Sequence, residues 1–269
     1  MHSCLITGGT GTLGRQLVHE LLARKVKRIV VFSRDEHKQY EMQQNISDPQ
    51  KRLRYFIGDV RVLARLKRAF AGVEYVIHAA AMKRVEASEF NPWEAVHTNI
   101  IGAQNVIEAA LDCGVSKVLA ISTDKADNPT TLYGATKLCA ERMFVAANVY
   151  AGAKETRFAC IRLGNIAFSR GSVIPAWYGK PVVPVTDPEC TRYWLTAKEA
   201  ADHVLKGLQW MKGGECVTPL MKAFRVGDLV QAMGVEMKII GLGPGERLHE
   251  AGSERAQRLS VEELRGLIA

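Results

Sequence analysis

The stretch Thr7-Gly8-Gly9-Thr10-Gly11-Thr12-Leu13-Gly14 decides the fold. It follows residues 3–7 (Ser-Cys-Leu-Ile-Thr), which read as a short buried strand. It precedes Arg15 to Arg24, where Leu17, Val18, Leu21 and Leu22 recur at helical spacing. Lys27 to Phe32 reads as a second strand. Strand, glycine turn, helix and strand within about thirty residues make a βαβ unit. In that setting Gly8 takes the tight turn, Gly11 lets the backbone approach a pyrophosphate, and Gly14 lets the helix pack close to the sheet. The N–H groups opening the helix attract phosphate. Glycines alone are a weak signal; the flanking strand and helix make them a dinucleotide fingerprint.

Moving outward, the alternation continues. Leu53–Ile57 is strand-like and runs into Gly58-Asp59-Val60, and Ala64–Phe70 is a short helix. Tyr75–His78 is a strand entering Ala79-Ala80-Ala81, and Pro92–Cys113 reads as one long helix. Val118–Ser122 is a strand, Tyr133–Tyr150 a long helix, and Phe158–Leu163 a strand. Such alternation implies an α/β fold, a Rossmann-type doubly wound parallel sheet. After Gly164 prolines crowd the chain and apolar runs shorten. Residues 1–165 are therefore expected to form a dinucleotide-binding Rossmann domain. Residues 166–269 are expected to form a smaller C-terminal substrate lobe, with 191–212 returning to pack on the sheet.

The 269 residues suffice for one large core with a small second lobe. A hydrophobic share of 47% and a charged share of 24% fit an ordinary globular protein. No apolar stretch is long enough to span a membrane, and the first strand starts too near Met1 for a leader. The six cysteines are scattered without a Cys-x-x-Cys pair, which suggests reduced thiols and a cytoplasmic location. No His/Cys cluster suggests a metal, and His78, His97 and His249 read as structural. The formal net charge is +8, but no block of like charges accompanies it. That pattern argues for phosphate-bearing small ligands rather than nucleic acid.

The end of the second strand reads the cofactor. An Asp or Glu there bonds the 2′-hydroxyl of NAD; this chain has Ser33-Arg34-Asp35-Glu36-His37-Lys38. Arg34 can take a 2′-phosphate bidentately with Lys38 beside it, which favours NADP; both also read as solvated surface charges. Asp59 can bond adenine or cap the next helix. Further on, Tyr133 and Lys137 stand four apart at a helix start and so share a face. A cation beside a phenol lowers its pKa and fits it for general-base work. Asp124 and Lys125 adjoin in the preceding turn, one able to give a proton and one to accept it, and pairing near the nicotinamide is expected to lower the lysine's pKa.

The glycine loop with Tyr133 and Lys137 resembles the extended short-chain dehydrogenase/reductases that act on nucleotide sugars. The segment Ser122 to Lys137 narrows the resemblance, as do Ser33-Arg-Asp-Glu, His78-Ala-Ala-Ala-Met-Lys83, Thr98 to Asn105, Gly164-Asn165, Ser169 to Val173, Thr191-Arg-Tyr-Trp194 and Pro244 to Glu250. Together, over residues 3 to 250, they resemble the C5-inverting UDP-N-acetylglucosamine 4,6-dehydratases that open pseudaminic acid synthesis. The resemblance implies NADP held by Gly8, Thr10, Gly11, Thr12, Leu13 and Gly14 of the loop and by Ser33, Arg34, Asp35 and Lys38 after the second strand. Asp59, Val60, Ala79, Ala80, Ala81, Lys83, Asn99, Ser122, Tyr133, Lys137 and Ile166 complete that set. For UDP-N-acetylglucosamine it implies Lys83, Thr123, Asn165, Arg170, Gly171, Ser172, Val173, Arg192 and Glu246, with Arg192 clamping the diphosphate. It also implies catalytic roles. Tyr133 takes the 4-hydroxyl proton, Thr123 bonds the 4-oxygen, Lys125 removes the C5 proton and Asp124 protonates the departing 6-hydroxyl.

The chain departs from that pattern at Gly243, where Arg is usual, and at Val62, where Asp is common. The stretch from Pro175 to Asp187 and the tail after Glu250 are also short. Membrane-anchored relatives carry Met at the place of Tyr133 and retain C5, so Tyr133 points to the inverting type. Relatives form dimers or larger rings through the two long helices, so a homo-oligomer is expected. A UDP-sugar 4-epimerase, another nucleotide-sugar dehydratase and a catalytically weak NADP-sensing protein are the alternatives.

Overall fold

Two strands with every residue buried or nearly so sit at the centre of the protein, β1 (Ser3–Thr7) and β2 (Arg28–Ser33). Burial on both faces is why they read as continuous apolar runs, without alternation. The computed structural model describes residues 1–152 and 154–269. After β1 come α1 (Thr12–Ala23), β2, α2 (Glu36–Asn45), β3 (Leu53–Ile57), α3 (Leu63–Phe70) and β4 (Tyr75–His78). Then follow α4 (Val85–Phe90), α5 (Pro92–Val96), α6 (Gly102–Cys113), β5 (Lys117–Thr123), α7 (Leu132–Tyr150) and β6 (Arg157–Leu163). The remainder holds α8 (Val173–Trp177), β7 (Val182–Val185), β8 (Thr191–Trp194), α9 (Ala197–Trp210) and β9 (Cys216–Val217). It ends with β10 (Lys222–Arg225), α10 (Val226–Met233), β11 (Glu236–Ile239) and α11 (Val261–Ile268).

The main sheet is parallel with strand order β3-β2-β1-β4-β5-β6-β9, the doubly wound arrangement expected from the alternation. The order reverses between β1 and β4, which opens a crevice at the carboxyl ends of those strands. One apolar layer packs Leu17, Val18 and Leu21 of α1 with Val204, Leu205 and Leu208 of α9. The opposite layer packs Val106, Ile107 and Phe144 of α6 and α7 against Leu5, Val30 and Val118. Each such fully buried side chain contributes about 1.5–3 kcal/mol.

One expectation changes, and one helix is new. The long helix over Pro92–Cys113 is interrupted by a π-helical turn at His97–Ile101. Its wider turn re-aims the side chains, and Asn99 becomes buried at 2% exposure facing the loop after β4. The helix α2 carries no apolar stripe, and so periodicity gives no sign of it. It is held by an Asp35 N-cap and by the buried amide of Gln39, which donates to the carbonyls of Ser33 and Phe56.

The C-terminal residues form a third apolar cluster, including Ile174, Trp177, Val185, Trp194, Phe224 and Leu229. Around it lie an antiparallel pair, β8 with β10, and a parallel pair, β7 with β11. Helix α9, opened by a Thr196–Glu199 capping box, lies back on the main sheet beside α1.

Candidate active site

The glycine loop lies at the reversal of strand order. Gly8 has φ +68°, and a Cβ there would stand 2.9 Å from the backbone of Ala79 and Ala80. A side chain at Gly14 would stand 2.6 Å from the backbone of Gly9, so glycine is what lets α1 close onto the strand turn. Gly11 has only the Gly8 carbonyl nearby, at 3.2 Å. It is also the N-cap of α1, and no side chain caps the helix. The helix begins at Thr12, inside the glycine motif, and its uncapped first N–H groups adjoin the Gly8-Gly9-Thr10-Gly11 loop, a cradle that fits a pyrophosphate. Thr10 and Leu13 are buried there, and the Thr12 hydroxyl accepts the Arg170 amide at 3.4 Å. Opposite, the Ala79 amide donates to the Thr7 carbonyl and the Ala80 amide to the Thr7 hydroxyl, while Ala81 lies half-buried. Asn99 fixes the same loop by bonding both the amide and the carbonyl of Met82. His78 is buried, bonds Thr7 through Nδ1 and has its pKa pushed down to about 3 by burial and by Lys137. It is a neutral structural group.

At the end of β2 the Arg34 guanidinium is exposed and lies 3.5 Å from Asp59. Asp59 is chiefly bound by Arg61, which counters the upward push of burial and holds the carboxyl below its usual range. It does not cap α3, whose N-cap is Val62 with no side-chain bond. Lys38 forms an ion pair with Asp35, and Ser33 accepts from Gln39. Val60 is buried, with its carbonyl accepting from Asn105.

The chain leaves β5 as a single 3₁₀ turn over Asp124–Ala126. Asp124 Oδ1 accepts from the Thr123 hydroxyl at 2.8 Å and the Lys125 amide at 2.9 Å, and stands 3.3 Å from Lys125 Nζ. Its Oδ2 is buried and has no partner among the described residues. Gly134 leaves no room for a Cβ beside the Lys125 carbonyl, and so α7 starts directly on this turn. Tyr133 and Lys137 are both buried on α7.

Their electrostatics correct two expectations. Burial raises the Tyr133 pKa, and the downward pull comes from Lys125 and the Thr123 hydroxyl, not from Lys137. Lys137 instead donates to the Ile121 carbonyl at 2.7 Å, and burial pushes its pKa down. Burial also pushes on Lys125, but Asp124 and Glu250 outweigh it, so its pKa is raised where pairing was expected to lower it. Glu250 Oε1 is 2.9 Å from Nζ. Ser122 turns its hydroxyl to Glu141 at 2.5 Å.

Of the residues assigned to the sugar nucleotide, Ser172 has a buried hydroxyl with no partner among the described residues. Asn165, Arg170, Gly171 and Val173 are exposed, and Ile166, assigned to the dinucleotide, bridges to Leu195. Lys83 is exposed and forms no ion pair among the described residues. Arg192 is not a free clamp. Its guanidinium donates to the carbonyls of Thr191, Arg247 and Leu248 and to the Glu246 carboxylate. Glu246 in turn accepts from Thr186 and from the Gly243 amide.

A profile of the family described as "Polysaccharide biosynthesis protein" matches residues 4–265. The chain belongs to that family. The UDP-N-acetylglucosamine 4,6-dehydratase (inverting) of Campylobacter jejuni subsp. jejuni serotype O:2 is 47% identical over 254 residues, covering 91% of this chain and 75% of that protein. The UDP-glucose 4-epimerase of Rickettsia conorii is 34% identical, covering 97% and 80%. The solved structure of Pen from Bacillus thuringiensis superposes with a TM-score of 0.93 at 35% identity, covering 99% of this chain and 97% of that one. The kinship read from the motifs is thus borne out. Within this chain, the residue that motif reading passes over is Glu250. It closes the quoted Pro244 to Glu250 motif, but only the folded chain brings it to Lys125. Arg247 of the same segment donates to the carbonyls of Asp127 and Asn128, tying the segment to the turn after β5. Gly243 leaves its amide to Glu246.

No helix among the described residues is long and apolar enough to cross a membrane.

Proposed function

We propose that this protein is an NADP-dependent UDP-N-acetylglucosamine 4,6-dehydratase that inverts C5 and releases a UDP-4-keto-6-deoxy-hexosamine, the opening step toward a pseudaminic-type sugar. The reaction class is nucleotide-sugar 4,6-dehydration. The observation that carries it is the buried, unpartnered Oδ2 of Asp124 in one cluster with Lys125, Thr123 and Tyr133. A buried carboxylate oxygen lacking a partner is costly unless a ligand supplies one, and a sugar hydroxyl is such a ligand. A simple 4-epimerase expels no hydroxyl and needs no such acid.

A nicotinamide dinucleotide in the glycine-loop cradle supplies hydride acceptance from sugar C4 and hydride return to C6. Tyr133 takes the 4-hydroxyl proton while Thr123 bonds the 4-oxygen. Lys137, with its ammonium on the Ile121 carbonyl, orients the nicotinamide ribose. Once C4 is a ketone, the C5 proton is acidic. Lys125 removes it and Asp124 protonates the 6-oxygen, which leaves as water; return of a proton to the other face inverts C5. Arg34 supports the NADP preference, being exposed at the strand end with only a 3.5 Å contact to Asp59. Ser172 Oγ and the backbone after Gly171 receive the nucleotide. In this reading 1–165 bind the dinucleotide, 166–269 bind the sugar nucleotide, and copies of the chain associate through the long helices.

Incubation with UDP-N-acetylglucosamine and NADP is expected to yield a product lighter by one water, read by mass spectrometry, with NMR giving C5. An isobaric sugar inverted at C4 would mean a 4-epimerase, and no conversion would remove the dehydratase reading. A monomer in light scattering would remove the oligomer.

A further inference from the structure

Lys125 Nζ lies between two carboxylates that come from distant parts of the chain. Asp124 Oδ1 is 3.3 Å away on its own turn, and Glu250 Oε1 is 2.9 Å away on the C-terminal segment. Glu250 is 5% exposed, with Arg192 Nε at 3.7 Å. The other charged or titratable groups acting on this cluster among the described residues include Tyr133 on α7, Tyr193 on β8, which feels Asp124, and Glu246 behind Arg192. In the dehydratase reading, Lys125 must be an unprotonated amine to act at C5. Asp124 must carry a proton to expel the 6-hydroxyl. The structure favours the reverse distribution, an ammonium flanked by carboxylates.

One proton crossing from Nζ to Asp124 yields both competent forms without exchange with solvent. Elimination then restores the original charges. The amine takes the C5 proton, the C5–H electron pair becomes the C5–C6 double bond, and the Asp124 proton leaves with the 6-oxygen as water. Glu250 opposes the crossing by charge while anchoring the group that must make it. We infer that Glu250 is a positioning residue that holds the Lys125 ammonium against Asp124 and governs when that proton crosses. This rests on the dehydratase reading for its consequence, though the contact itself can be tested without substrate.

The test compares wild type, Glu250→Gln and Glu250→Asp. Acylation of the Lys125 amine by acetic anhydride is followed against pH by peptide mass spectrometry on the full chain. In Glu250→Gln the labelling midpoint of Lys125 is expected to fall by about one to three pH units, the range for loss of an adjacent opposite charge. The midpoint of exposed Lys212 stays fixed. The alkaline limb of the pH profile for water loss, where the shared proton is lost to solvent, is expected to move down equally, while the plateau falls because Nζ is held less firmly. Glu250→Asp retains the charge at longer reach and is expected to shift the midpoint less. A Glu250→Gln midpoint equal to wild type overturns the inference. If Glu250→Gln does not fold, an unshifted midpoint in Glu250→Asp overturns it instead. Wild type that removes no water from UDP-N-acetylglucosamine overturns the reaction reading alone, and the labelling midpoints still decide the role of Glu250.

Discussion

Replacing Arg162 by Met tests the electrostatics beneath the active site. Arg162 Nε and Nη2 each donate to the Glu141 carboxylate at 2.9 Å, and Ser122 adds a 2.5 Å bond to the same group. The side chains are 17% and 3% exposed, so water does little to screen the pair. Arg162→Met leaves Glu141 as a buried carboxylate with one hydroxyl partner. Removing one partner of a buried pair costs about 3–5 kcal/mol, since the remaining charge is uncompensated. At roughly 2–4 °C per kcal/mol, the melting temperature should fall by roughly 10 °C. Urea unfolding followed by circular dichroism measures the cost directly. The double variant Glu141→Gln with Arg162→Met removes the stranded charge and keeps an acceptor for Ser122. It is expected to recover at least half of the loss. A double variant no more stable than Arg162→Met would show that lost packing, not the unpaired charge, explains the destabilisation.

Two further outcomes follow from the geometry. Arg34→Ala should weaken NADP far more than NAD in titration calorimetry, because the exposed guanidinium at the end of β2 is the group proposed to take the 2′-phosphate; equal weakening removes that assignment. His78 has its pKa lowered from 6.5 to about 3 by burial and Lys137. The unfolded chain therefore takes up a proton below pH 6.5 that the folded chain refuses until about 3. Stability contributed by neutral His78 is complete above that window and is lost as pH falls through it, by about 1.4 kcal/mol per unit. His78→Asn should flatten the acid limb of stability against pH, and an unchanged slope would show that other groups set it.

Residues close in sequence settled much on their own. The strands β1, β3 and β4, the glycine loop and the Tyr133–Lys137 pair were legible because each is a local pattern. A buried strand needs an apolar run, a tight phosphate turn needs glycine, and one helical turn puts residues four apart on one face. Helix α2 was not legible, since its burial rests on the Gln39 amide and Met42 rather than on a stripe. Nor was the π turn that aims Asn99, because its wider hydrogen bonding has no composition of its own. Charge states were decided only by the tertiary structure. Tyr133 feels Lys125 more than Lys137, and Arg192 spends its guanidinium on carbonyls and Glu246. The same holds for Lys125, paired only with adjoining Asp124 in the sequence and an ammonium between Asp124 and Glu250 in the fold. Sequence spacing names which groups are present, but pKa and hydrogen bonding depend on distance and burial, and one of the two carboxylates at Lys125 arrives from 125 positions away.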